Sequence, residues 1–370
     1  MERLPESLER KLVKLASNLI DHRHARLLVG PAQDQPGFWF GAGNLVRHPR
    51  DHSLLLIGRY RDAGDSRAGL GQGVRGRELA LFRSTDEGHT FAKIRSWDKS
   101  DLYCGSAVLS IEGSALRLSR SSAEVLVSTE KVHPYPRGLT SYQKPGTGVW
   151  SIDAFGAPNI EALAPQEQLH PLLHSQDPSY LHLKDPSLSP GFSPGQSLLL
   201  YCAHPFGWTS STSGYALLAG ETPAQVHHDF FPRGPAWDVA ACRITCRLPL
   251  PRVGAFARLP RLSLYFYDGA ECLRPLEEHR CAVARPRGYS CEELGGLAYG
   301  FDQDFPRLHR LSQLNPLFIS PEGTRSSRYV SVLAEGEGDL WATWQRSVAS
   351  GAQPLFLRHL KGEKVRALLA

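Results

Sequence analysis

Two acidic residues stand in settings that suggest proton chemistry. Glu112 lies in Leu109-Ser-Ile-Glu-Gly-Ser-Ala-Leu116, a run that otherwise reads as a buried strand. Burying a lone carboxylate is costly unless its pKa rises or partners come to it, so Glu112 is a candidate catalytic acid; the competing expectation is an ion pair with an arginine from a neighbouring segment. Asp185 lies in His182-Leu-Lys184-Asp-Pro186-Ser-Leu188. The proline bars the α region for Asp185, which predicts an extended residue at the start of a strand, or, on the plainer reading, an Asx turn that only begins one. If both carboxyls share a site, their surroundings should push their pKa values apart and leave one protonated near neutrality.

Other side chains could complete such a site. Arg59, Arg61, Arg67, Arg75 and Arg77 fall close together in sequence and could grip a carboxylate or phosphate bidentately, or be solvated loop charges. Asp62 and Asp65 are interspersed with them, and Asp65 is the third catalytic candidate. Asn44, Glu130, Lys184, Asp238, Arg243 and Arg328 are further polar candidates for substrate binding. His204, at the end of an apolar strand beside Pro205, Phe206 and Trp208, could orient a hydroxyl or be a hydrogen-bonded structural histidine. Trp208, Tyr265 and Tyr267 read mostly as packing, with sugar stacking as the alternative.

The elements that must position these residues recur. Five units follow one another, each opening with a strand that carries a polar residue and continuing with a very apolar second strand; their opening segments are Asn44–Arg47, Val108–Leu118, Leu181–Leu188, Trp237–Leu248 and Arg328–Leu333. Short strands separated by turn residues, repeating at long period, predict an all-β propeller whose first strands line a central channel. The reading is a single five-bladed propeller over residues 31–370, preceded by a helix and lead-in over 1–30, with Leu8, Leu12, Leu15 and Leu19 on one helical face. The last strand of the fifth blade is expected at Val365–Leu369. Pro158–Tyr180 and Glu271–Leu294 are expected as blade loops, and Gly64–Arg77 as a Gly/Arg-rich loop.

The segment Ser84-Thr-Asp86-Glu-Gly88-His-Thr90-Phe91 resembles the Asp box of sialidases and related propellers, a turn in which the aspartate caps backbone N–H groups and glycine supplies a positive φ. Asp185-Pro-Ser-Leu188 with Ser197-Leu-Leu-Leu-Tyr201 resembles the five-bladed clan of arabinanases, β-xylosidases, invertases and β-mannoside phosphorylases, in which an Asp-Pro on an innermost strand carries an essential acid. The Glu112 segment looks like the second-blade acidic position of the phosphorylase branch. The resemblance implies a glycosidase acting in the central funnel through paired carboxyl groups about 5 to 10 Å apart, with arginines on a polar or anionic sugar. Phosphorolysis, sialidase-like hydrolysis and a catalytically silent carbohydrate- or protein-binding propeller are the alternatives. The chain departs from the pattern at Asn44, where those families carry an aspartate; an amide cannot be a general base.

Composition narrows the partners. Hydrophobic residues are 41% and charged residues 21% of 370, with a formal charge of +5. No apolar run approaches the roughly 20 residues that span a bilayer, and no basic run calls for nucleic acid. The seven cysteines form neither an even set nor a Cys-x-x-Cys pair, so no disulfide framework, metal site or cofactor is expected. The amino-terminal segment lacks the apolar core of a signal peptide, which with the thiols predicts a cytoplasmic enzyme taking a small-molecule or oligosaccharide substrate.

Overall fold

The computed structural model describes residues 3–62, 75–206, 210–220, 222–271, 293–336 and 338–370. Its strands form five antiparallel sheets around a channel. Blade 1 contains β2 (Trp39–Gly41) and β3 (Leu45–Arg47), which share the inner position, then β4 (Leu54–Arg61), β5 (Glu78–Ser84) and β6 (Ala92–Asp98). Blade 2 is β7 (Val108–Leu118), β8 (Ala123–Lys131), β9 (Val149–Ala157) and β10 (His170–Leu173). Blade 3 is β11 (His182–Pro190), β12 (Gln196–His204), β13 (Thr212–Ala219) and β14 (Thr222–Phe231); blade 4 is β15 (Ala241–Pro249), β16 (Leu262–Ala270), β17 (Leu294–Phe301) and β18 (His309–Arg310). Blade 5 is β19 (Ser327–Ala334), β20 (Leu340–Arg346), β21 (Leu355–Leu360) and, outermost, β1 (Arg26–Val29).

Each second strand is packed on both faces, which explains its continuous apolar run: β4 buries Leu55 and Ile57 toward blade 2 and Leu54 and Leu56 toward blade 5. The turn from β5 to β6 is tied by Asp86, whose carboxylate accepts from the Thr90 N–H (2.9 Å) and hydroxyl (2.6 Å), with Gly88 at φ 76°.

Two expectations at the chain ends are corrected. Val365–Leu369 is not a strand but part of helix α3 (Gly362–Leu369), whose Val365, Leu368 and Leu369 are buried at helical spacing against α1 (Glu6–Leu19). The fourth strand of blade 5 is instead β1, from the segment read as lead-in, pairing Arg26 with Leu357. Pro158–Tyr180 likewise contains a strand, β10, and a short helix α2 (Pro165–Gln168). Removing residues 1–30 would unpair β21 and strip Leu12, Leu15 and Leu19 from the core, and bare strand edges invite pairing between chains. A chain beginning at residue 31 is therefore expected to self-associate and lose its cooperative thermal transition, as size-exclusion chromatography and calorimetry would show.

Candidate functional site

All five inner strands break register at one depth in the channel. The ladder slips between Ile111 and Ser114 in β7, Lys184 and Ser187 in β11, Ile244 and Cys246 in β15, and Arg328 and Ser331 in β19, while in blade 1 the break separates β2 from β3. Bulges re-aim side chains, and here they turn polar groups toward the axis. Ala42, Asp185 and Tyr329 sit at these breaks with φ of 59°, 57° and 53°, a strained choice for residues with a Cβ. Asp185 is thus mid-strand and left-handed rather than extended. Pro186 does exclude the α region, and the bulge settles the backbone in the other basin.

The groups so aimed form an ionic belt. Glu112 accepts from Arg59 Nη2 (2.7 Å) and Nε (3.2 Å) and from Arg61 Nη1 (2.9 Å). The two arginines are two residues apart on β4 and so share a face. Arg243 donates from Nη1 to Asp185 (2.7 Å) and the Tyr329 hydroxyl (3.0 Å), and its Nη2 lies 2.7 Å from both Asp268 and Glu293. Glu293 also pairs with Arg328, which reaches the Gln345 amide and lies 4.4 Å over the Trp39 ring. The Gly113 N–H donates to Asp185 (3.1 Å) and joins the halves; a Cβ on Gly113 would lie 2.6 Å from the Asp185 Cα. These belt carboxylates are at most 6% exposed.

A second set of charges lies on the mouth side, where the inner strands begin. Glu130 accepts from the Gly148 N–H (2.8 Å) and lies 2.7 Å from Arg75 Nη1. Lys184, half-buried, lies 5.5 Å over the Trp150 ring. Lys99, also half-buried, has no hydrogen-bond partner among the described residues; burial and the Arg75 charge lower its pKa. Arg61, Arg75, Lys99 and Lys184 thus gather around Glu112 and Glu130.

The two glutamates are driven apart. Burial pushes both toward the neutral form, but for Glu112 the Arg59 and Arg61 charges outweigh it and hold the carboxyl well below its usual range. For Glu130 burial wins over Arg75, and the neighbouring Glu112 charge adds to the rise. Glu112 is thus held ionised in its ion pairs with Arg59 and Arg61, and the carboxyl pushed toward its neutral form is Glu130.

Asp268, from β16, is pushed up to about 6 by burial and then by Glu293, against the pull of Arg243. A carboxyl with a raised folded pKa binds protons more tightly folded than unfolded, so its contribution to stability falls as pH rises from about 4 to 6. Asp268→Asn is expected to flatten that part of the stability curve, by on the order of 1–3 kcal/mol. Urea melts of both proteins at half-unit pH steps would show it.

Not all sequence candidates converge. Asn44 is committed to the backbone: its side chain accepts from Leu116 N (2.7 Å) and donates to Leu116 O (2.9 Å), stapling blade 1 to blade 2. Asp238 lies outside the channel, paired with Arg310 of β18. His204 stacks on His182 at 4.7 Å and is buried; that burial, then His182 and Lys184, keep it neutral, and its Nε2 has no partner among the described residues. Asp62 pairs with Arg77, and Tyr265 and Tyr267 are blade core. Asp65, Arg67 and Trp208 lie outside the described residues. Sequence reasoning missed Asp268, Glu293, Tyr329 and Lys99. The signal for Asp268 was the one used for Glu112, a lone carboxylate in an apolar strand, Leu262–Ala270.

No family model and no curated protein matches the sequence. Solved structures do match along nearly the whole chain. A glycoside hydrolase aligns at 10% identity over 97% of this chain and 96% of its own, with a TM-score of 0.63. An alpha-L-arabinofuranosidase from Lactobacillus brevis aligns at 9% over 93% of each chain (TM-score 0.57), and a thermostable family-43 glycoside hydrolase at 10% over 90% and 92% (TM-score 0.54). At such identity the likeness establishes the shared five-bladed fold.

Proposed function

We propose that this propeller cleaves a glycosidic bond at the channel mouth and binds an anion, phosphate or an anionic sugar, among Arg61, Arg75, Lys99 and Lys184. The observation that carries the reading is the Glu112–Glu130 pair, one carboxyl held ionised and the other pushed toward its neutral form inside a surplus of cations. Glu130 is the general acid, giving its proton to the leaving-group oxygen. Hydrolysis would need a second carboxylate free to activate water or attack, and among the described residues the belt carboxylates Glu112, Asp185 and Glu293 are each bound by arginine. Phosphate is already a nucleophile and needs no base. Its oxygen would bond to the anomeric carbon as the C–O bond breaks, giving a sugar 1-phosphate and an alcohol. Phosphorolysis is therefore favoured over hydrolysis.

The burial of these carboxyls favours one rival, a silent propeller that binds a sugar without turning it over. A panel of aryl glycosides and oligosaccharides, assayed with and without inorganic phosphate, separates the readings. Phosphate-dependent release is the expected result; release without phosphate would mean hydrolysis, and binding without release the silent propeller. We further propose a cytoplasmic location, which the free thiols of Cys104, Cys202, Cys242 and Cys246 support.

A further inference from the structure

The ionic belt divides the channel in two, and the half beyond it holds a cavity of about 350 Å³. Each blade gives this chamber an uncharged polar residue at or just past its register break, Asn44, Ser114, Ser187, Thr245 and Ser331, and blade 3 adds Ser189. Asn44 is occupied by Leu116, and the Ser114 hydroxyl is buried at the wall without a partner among the described residues. Ser187 and Ser331 are half-exposed and make no hydrogen bond through their hydroxyls among the described residues. Between the polar positions the wall is aliphatic, from Val46, Leu188, Val332 and Leu333.

The charges that border the chamber are already spent. Arg247 is held by Ser263 (3.0 Å), the Pro190 carbonyl (2.6 Å) and Asp302 (3.0 Å), and stacks 4.6 Å over Phe192. Asp185 is held by Arg243 and Gly113. An ionic ligand would find no countercharge, and a purely apolar one would strip water from the hydroxyls without replacing it. The volume is at the low end for small-molecule sites.

We propose that the chamber is a second binding site, separate from the mouth, for a neutral polyhydroxylated molecule the size of one sugar ring. Its hydroxyls meet Ser187, Thr245 and Ser331, and its C–H faces lie on the aliphatic wall. The buried belt residues Arg59, Glu112, Arg243 and Tyr329 stand between it and the mouth, so occupancy of one site does not require the other.

The test is calorimetric titration of the full chain with D-xylose, L-arabinose and D-mannose, and with D-glucuronate as the charged counterpart. At least one neutral sugar is expected to bind at about millimolar affinity; glucuronate, which the mouth cations would hold, is expected to lose its heat in Lys184→Ala while the neutral sugar keeps its own. The double variant Ser187→Leu/Ser331→Leu, which fills the chamber, is expected to lose at least about tenfold in affinity, while Lys184→Ala at the mouth leaves it unchanged. Should the filled variant not fold, Thr245→Val and Ser331→Ala, which keep the walls, serve instead, each with an expected loss of about threefold or more. Absence of binding by all three neutral sugars, neutral-sugar affinity that survives these variants, or neutral-sugar affinity that falls with Lys184→Ala would overturn the proposal.

Discussion

Glu112→Gln is expected to destabilise the protein by about 3–5 kcal/mol, the usual cost of removing one partner from a buried ion pair. The amide keeps the shape but not the charge, and the Arg59 guanidinium, 1% exposed, would lose its carboxylate. Chemical denaturation would read the loss directly. The same reasoning gives a control: replacing Glu112, Arg59 and Arg61 together by apolar residues of similar volume should recover most of it, because the cost lies in the stranded cation. Persistence of the full loss in that triple variant would point to a packing role for the Glu112 side chain.

Glu130→Gln should behave in the opposite way. Burial already favours the uncharged form at this position, and Arg75 keeps a second acceptor in the Gly146 carbonyl (2.9 Å), so an amide costs less stability here than at Glu112, while the proton the chemistry needs is gone. Turnover on whichever glycoside the panel yields should fall by about 10²- to 10⁴-fold with the melting temperature falling less than in Glu112→Gln. The pH profile supplies the second readout. An acid works only while protonated, so wild-type kcat/KM declines as pH rises through the raised Glu130 pKa, and that alkaline limb should vanish in the variant. Activity near wild type in Glu130→Gln would remove Glu130 from the mechanism.

The propeller was legible because second strands packed on both faces leave a long apolar signature, as in Leu54–Ile57 and Leu198–Tyr201. Blade 5 was misread at its edge because Val365, Leu368 and Leu369 are apolar enough for a strand, and nothing local shows that a segment over 300 residues away supplies the pairing instead. The site was half legible. Glu112, Asp185, Arg243 and Arg328 were identifiable one by one, as polar residues on inner strands. Their partnerships were not, since each ion pair joins different strands: Arg59 and Arg61 reach from blade 1 to Glu112 in blade 2, and Arg243 from blade 4 to Asp185 in blade 3. The spacing of Arg59 and Arg61 did carry a usable signal, because alternate residues on a strand converge on one point.

The position of β1 bears on how the molecule is made. Arg26 and Leu27 leave the ribosome before the other strands, yet the strand they pair with, β21, follows all of them in the chain. Throughout translation β1 must wait, unpaired, while the blades between assemble from contacts that are mostly local. Joining the two strands is the longest loop closure of any strand pair among the described residues, and its entropy must be met before the pairing returns anything. Ring closure is thus the step at which an otherwise assembled propeller is most open to exchanging strands with a neighbour.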